Sequence, residues 1–173
     1  MSIIFFDVET SGLSPKLHSV LSFACIIRDN NEKETIVQRF YYPDPNKEIS
    51  NIAIDVNGLT DEKISSLRSN DSYPEYFKDD SYIEKIFKNY ADLLVGHNVN
   101  FDISFIVSAF QNINKKIENT ERFCTMKNNK RNGKTLKLDK VCELYKIEIA
   151  PGNFHDALWD TKAVKEIYDK MKK

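Results

Sequence analysis

The chain is 173 residues long, enough for one domain with a buried core. Its 41% apolar content, 11 Phe and 8 Tyr exclude a disordered chain. A net charge of −1 excludes an overall basic field, so any polyanionic partner must be held by a local patch or by bound metal. The three cysteines, Cys25, Cys124 and Cys142, are odd in number, widely spaced and without a CxxC pair. This argues against a disulfide framework or a zinc site and for buried thiols in a reducing compartment. The N-terminus lacks the basic segment and cleavage site of a signal peptide, and no apolar run reaches the roughly 18 residues of a membrane-spanning helix. A cytoplasmic protein with no membrane partner is expected.

Residues 2–9 (SIIFFDVE) read as a first strand, followed by the turn-forming SGLSP. Residues 18–28 are apolar enough for a central strand. Asp29, Asn30 and Asn31 supply turn chemistry, and residues 34–42 return as a third strand that Pro43 and Pro45 end. Short helices are predicted over 50–56 and 60–67, the second opened by Thr60 as N-cap. Residues 69–81 are polar, carry Pro74 and read as a loop that decorates the surface. A helix near 82–92 leads to a short strand over 93–97, and Phe101, Phe105, Ile106, Ala109, Phe110 and Ile113 mark a helix over 100–113. Residues 121–127 suit another strand, and helices near 136–146 and from about 156 onward complete the chain. Neither an internal repeat nor an interdomain linker is visible. Strands in a meander, then strands alternating with helices, predict an α/β fold: one mixed sheet flanked by helices, in a single domain over residues 1–173.

The first strand ends oddly. Successive side chains alternate faces, so Asp7 and Glu9 share a side with Ile3 and Phe5. Two like charges beside apolar surface repel one another and lose hydration. Either the strand ends in water or a cation sits between them. Two helical acids favour the cation. Asp102 is in phase with Ile106, Ala109 and Ile113, and Asp160 with Val164, Ile167 and Met171. Both stand at the N-terminal end of a core-facing stripe, where the helix terminus contributes about 0.3–1 kcal/mol, too little to justify burying a lone charge. Four inward-facing acids from three elements suit a hard divalent ion such as Mg²⁺ or Mn²⁺. His155, just ahead of the last helix, is placed to turn toward these acids. An imidazole titrates near neutral pH and can take a proton from water. His18 and His97 lack such a context, and His18 reads as a surface residue.

FDVETSGL (6–13), VGHNVNFD (95–102) and HDALWDT (155–161), in that order, resemble the three motifs of the DEDDh 3′–5′ exonucleases. That family includes the proofreading epsilon subunit of bacterial DNA polymerase III and ribonuclease T. The resemblance covers about residues 2–171 and implies a ribonuclease H-like fold with a mixed five-stranded sheet. It implies two divalent cations, Mg²⁺ or Mn²⁺, held by Asp7, Glu9, Asp102 and Asp160, with His155 as general base. Asp156 stands where tyrosine-type relatives carry Tyr, which indicates the histidine subtype. The implied reaction is two-metal hydrolysis that releases nucleoside 5′-monophosphates from single-stranded 3′ ends, with DNA ahead of RNA. The alternatives are an exoribonuclease that trims RNA ends, and a non-catalytic nucleic-acid-binding module associated with a DNA polymerase subunit. By the same resemblance Thr10 and Gly12 approach the terminal nucleotide, Leu13 wedges against its base, and Asn98 and Phe101 line the pocket.

The pattern is not followed everywhere. VNGLTDE (56–62) resembles the family's His-Gly-Ile-Thr stretch with Asn57 in place of histidine. Asparagine can hydrogen-bond a 3′ hydroxyl but cannot be charged, so recognition of the 3′ end is expected to differ. Ser11 stands where Thr is frequent. The run KNNKRNGKTLK (127–137), with Lys127, Lys130, Arg131, Lys134 and Lys137, reads first as a solvated loop. Because it precedes a segment resembling the family's LDALC helix, its functional alternative is to hold the phosphates of an incoming strand. With the sequence ending at Lys173, no tethering segment like that of epsilon-like subunits is expected.

Overall fold

In the computed structural model, which describes residues 1–68, 72–148 and 155–172, the strand opened by IIFF is buried on both faces. This strand, β1 (Ile3–Thr10), sends Ile4, Phe6 and Val8 into one core and Ile3 and Phe5 into a second. It pairs antiparallel with β2 (Val20–Arg28), which pairs antiparallel with β3 (Glu34–Phe40). On the other side β4 (Leu93–Gly96) joins β1 in parallel, and β5 (Glu121–Cys124) follows β4 in parallel. The result is the predicted mixed five-stranded sheet, in the order β3-β2-β1-β4-β5.

Helices cover both faces because both faces are apolar. On one side α3 (Ser81–Tyr90) and α4 (Val99–Ala109) bring Ile83, Phe87, Val99 and Ile106 against Phe6, Phe23 and Leu94. On the other, α8 (Ala157–Lys172) packs Val164 and Tyr168 against Phe5, Ile26 and Val95. α7 (Leu138–Tyr145) lies outside α8, joined to it through Val141, Cys142 and Ile167. Between β3 and α3 run α1 (Asn51–Asn57) and α2 (Asp61–Leu67), and the Thr60 hydroxyl caps α2 by accepting from Lys63 N at 3.2 Å. All three cysteines are buried free thiols. Among the described residues no helix is long and apolar enough to cross a membrane.

Four predicted segments come out differently. The helix expected over 100–113 stops at Ala109, and Gln111–Ile113 form a 3₁₀ turn that leads into α5 (Asn114–Glu118). Phe110 and Ile113 stay in the same core, so the apolar spacing continues although the helix does not. The strand expected over 121–127 ends at Cys124, opposite Gly96, because β4 offers no partner beyond that point. The chain turns there into α6 (Thr125–Asn128). The basic run is no loose loop. It folds into a hairpin of β6 (Lys130–Arg131) and β7 (Lys134–Thr135) around Asn132 and Gly133, both at positive φ (53° and 77°) as a tight hairpin turn requires.

The segment 69–81 is not surface decoration, although residues 69–71 lie outside the described residues. Phe77 is 4% exposed, and its ring meets those of Phe23, Tyr41 and Phe110. Asp80, also buried, accepts from the Tyr41 hydroxyl at 2.8 Å, pairs with Arg39 and caps α3. The Arg39 guanidinium lies over the rings of Tyr73 and Tyr82, and that of Arg68 over Tyr42 and Tyr73. The polar composition concealed a short piece that completes the core with one phenylalanine.

Candidate active site

β1 outlasts β4. Their pairing ends at Phe5 and Val95, whereas β2 accompanies β1 to Thr10, so one edge of β1 is open beside its last acids. An open edge leaves backbone donors to satisfy. Val8 N–H finds Asp102 Oδ1 at 3.3 Å, which draws the first turn of α4 against the end of β1. From the opposite side Thr161, fully buried, places its Oγ1 2.7 Å from Ala157 O and 3.3 Å from Ala24 O. Ala24 is the ladder partner of Asp7, so this contact docks the start of α8, with Asp160, over the β1 acids.

The four acids expected from the sequence thus share one site. Burial pushes Asp7 well above the usual carboxylate range, and Asp102, Glu9, Asp160 and Asp156 add to the shift by repulsion. Glu9 rises to about 8, first by burial and then by the charges of Asp160 and Asp102, with a hydrogen bond from Asn57 working in the opposite direction. Burial lifts Asp102 to about 8 against the pull of the Val8 N–H. Asp160 reaches about 7 through burial and the neighbouring Asp156. Asp102 Oδ2 and Asp160 Oδ1 are buried without a hydrogen-bond partner. Glu9, His155 and Asp160 present ligand atoms within 4.8 Å of one another. Mutually repelling oxygens, two of them unsatisfied, fit a hard divalent cation.

His155 stands exposed at the rim with φ at 66°, a left-handed backbone that costs a residue other than glycine roughly 1–3 kcal/mol. The positions expected to contact substrate differ in exposure. Leu13 is 82% exposed, which rules out core packing as its reason. Thr10 is buried, and its hydroxyl donates to Gly12 O at 2.7 Å, so it shapes the turn and does not face solvent. Gly12 is required by contact: a Cβ there would run into the His18 ring. His18 is therefore not the surface residue expected. It is half-buried, folded over the turn, with Nδ1 3.1 Å from Ser14 N. Asn98 is exposed at φ 70°, and Phe101 is half-buried against Phe105, ring centroids 5.1 Å apart.

Asn57 has both ends of its amide engaged. Nδ2 donates to Thr10 O at 3.1 Å and Oδ1 accepts from Leu59 N at 3.0 Å. It ties the end of β1 to the end of α1. Asp156, which in the sequence marks only the subtype, also has structural work. Its Oδ1 accepts from Leu158 N and Trp159 N, both at 3.0 Å, capping α8, while Oδ2 lies 3.5 Å from Gln38 Nε2. An Asp immediately before a helix was the available signal.

A ribonuclease H-like sheet with acids converging at the open end of its first strand is the build of a metal-dependent nuclease. The RNase T exonuclease profile matches residues 4–168, and the chain belongs to that family. It is accordingly a 3′–5′ exonuclease of the DEDD type, a family dependent on divalent metal. DNA polymerase III subunit epsilon of Buchnera aphidicola subsp. Schizaphis graminum is 31% identical over 96% of this chain and 72% of its own length. A PolC-type DNA polymerase III of Halalkalibacterium halodurans is 27% identical over 98% of this chain, which spans 11% of that much longer protein. Among solved structures, E. coli exonuclease I in complex with a dT13 oligonucleotide shares the fold at TM-score 0.73 and 16% identity, over 99% of this chain and 41% of that one. Exonuclease X in complex with 5′ overhanging duplex DNA does so at TM-score 0.60 and 21% identity, over 98% and 91%.

Proposed function

We propose that residues 1–173 act as a single exonuclease domain that releases nucleoside 5′-monophosphates from single-stranded 3′ ends, DNA in preference to RNA. The observation that carries this reading is the desolvated set of four acids, Asp7, Glu9, Asp102 and Asp160, each pushed above its usual range first by burial and then by at least one neighbouring acid. These four would hold two divalent cations, Mg²⁺ or Mn²⁺, which when bound polarise the phosphoryl group and ease deprotonation of water. The His155 ring nitrogen that approaches Glu9 and Asp160 takes the proton of the attacking water as general base. Asp156 holds the start of α8, and with it the distance between His155 and Asp160.

Leu13 projects from the turn and packs on the terminal base, while Asn98 and Phe101 line the pocket from α4. The close-packed Thr10–Gly12 backbone borders the terminal sugar. Asn57 serves the 3′ end by fixing the Thr10 carbonyl beside Glu9. The preference for DNA is supported by relatives that are DNA polymerase III proteins and by fold neighbours solved with DNA. Association with a DNA polymerase subunit and action in the cytoplasm belong to the same reading.

The test is degradation of 5′-labelled single-stranded DNA and RNA of matched sequence with Mg²⁺, Mn²⁺ or EDTA, beside an Asp7→Ala control. A ladder that shrinks from the 3′ end, only with metal and Asp7 and faster on DNA, is expected. Binding without cleavage of either polymer would overturn the reading in favour of a non-catalytic module. Faster loss of RNA would reverse the substrate preference.

A further inference from the structure

We infer that the β6–β7 hairpin and α7 form a second nucleotide-binding subsite, which holds the phosphodiester backbone of the strand on the 5′ side of the cleaved nucleotide; this rests on the exonuclease reading above. Lys127, Lys130, Arg131, Lys134 and Lys137 are all exposed, and none forms an ion pair with a described residue. In a chain of net charge −1 this is a concentrated, uncompensated positive surface. The tight Asn132–Gly133 turn sets Lys130 opposite Thr135 and Arg131 opposite Lys134, which brings three of the cations together.

A groove of about 540 Å³ runs between hairpin and helix, lined by Lys130, Arg131, Leu136, Lys140, Glu143 and Leu144. Its rim is basic and its apolar part is Leu136 with Leu144, the latter 61% exposed. Glu143, the one acid in it, is neutralised by Lys140 at 2.6 Å. Apolar surface for a base beside cations for phosphate is the pairing that single-strand sites use.

The hairpin is also fastened to the active site. Asn129, 4% exposed, donates from Nδ2 to Thr125 O at 2.8 Å and accepts from Leu136 N at 3.2 Å. Thr125 Oγ1 in turn lies 2.9 Å from His97 Nδ1 and 3.3 Å from Gly96 O. Both ends of the hairpin are thereby anchored to the residues just before Asn98 and the α4 turn that carries Asp102. A strand whose 3′ end lies among the acids would pass this face as it leaves the site. Divalent cations among the acids would serve the cleaved phosphate alone, and the chain as a whole, at net charge −1, does not attract the rest of the strand. The hairpin supplies the missing attraction.

The experiment compares wild type with a Lys130→Ala/Arg131→Ala/Lys134→Ala triple variant and a charge-keeping Lys130→Arg/Lys134→Arg control. Cleavage is read on a nitrophenyl ester of thymidine 5′-monophosphate and on single strands of about 2 to about 20 nucleotides, in about 50 to about 200 mM salt; binding of the long strand is read in EDTA. The triple variant is expected to hydrolyse the ester like wild type and to lose about tenfold or more in kcat/KM on long strands. Its slope of log affinity on log salt should be shallower by about 2, three cations at about 0.7 each, and the arginine control should be normal. Equal losses on ester and long strand would overturn the subsite, because the hairpin would then be shaping the catalytic centre. So would an unchanged salt slope, which would assign the hairpin to solvent or to a protein partner. Binding with the expected slope but no cleavage by the wild type would sustain the subsite and overturn the exonuclease reading.

Discussion

Removing metal should make the stability of this protein fall as pH rises, the reverse of the usual behaviour of paired carboxylates. The folded chain lifts Glu9 and Asp102 to about 8 and Asp160 to about 7, with Asp7 raised as well. Between about pH 4 and pH 8 the metal-free native state therefore holds protons that the unfolded chain has released, so unfolding gains stability relative to the native state with each step upward in pH. The native advantage is complete below the unfolded value of about 4 and lost as pH passes the folded values. Counting only Asp160, from 3.8 to about 7, and about 1.4 kcal/mol per unit, the loss is on the order of 4 kcal/mol. For a chain of this size that corresponds to a fall in Tm of about 8–16 °C. Circular-dichroism melts at about pH 4, 5, 6, 7 and 8, in EDTA and in Mg²⁺, measure it. Mg²⁺ should flatten the dependence, since it binds the ionised native site and not the unfolded chain. Asp160→Asn should raise the metal-free Tm at the upper pH while removing most of the gain from Mg²⁺. A metal-free Tm that is flat or climbs over this range would refute the account of the site as mutually repelling, desolvated acids.

Three other substitutions probe separate parts of the argument. His155→Ala should reduce kcat by about 10²–10⁴, with Mg²⁺ affinity by calorimetry unchanged; full turnover would remove His155 from the chemistry. Asp160→Ala should leave no measurable cleavage of either polymer, and substantial residual activity in it would sink the arrangement of ligands proposed here. Phe77→Ala should destabilise by about 3–5 kcal/mol in denaturant titration, since that ring fills the core between Phe23, Tyr41 and Phe110. A change below about 1 kcal/mol would show that this segment is a surface appendage after all.

The placement of the four acids was legible in the sequence where it is written in period and phase. The alternation in IIFFDVE put Asp7 and Glu9 on the face that α8 covers, and the helical phase of Asp102 and Asp160 pointed both inward. Thr60 announced its helix by its own capping chemistry. These are local properties, set by 2-fold and 3.6-fold repeats that a linear string displays. What a string does not display is where an element runs out of partners. The early end of β4 closed off β5 at Cys124, and it also left Val8 N–H for Asp102 to accept. Likewise Phe77 became part of the core through contacts with residues distant in sequence, and His18 became a cover for Gly12 through the fold of the turn between them. Asn57 owes its role to Thr10, a neighbour that only the folded chain supplies, whereas the capping of α8 by Asp156 is local. Residue types and spacing selected the donors of the site. Burial and proximity, which depend on the whole packed structure, set their charge state, because desolvation and repulsion act through space and not along the chain.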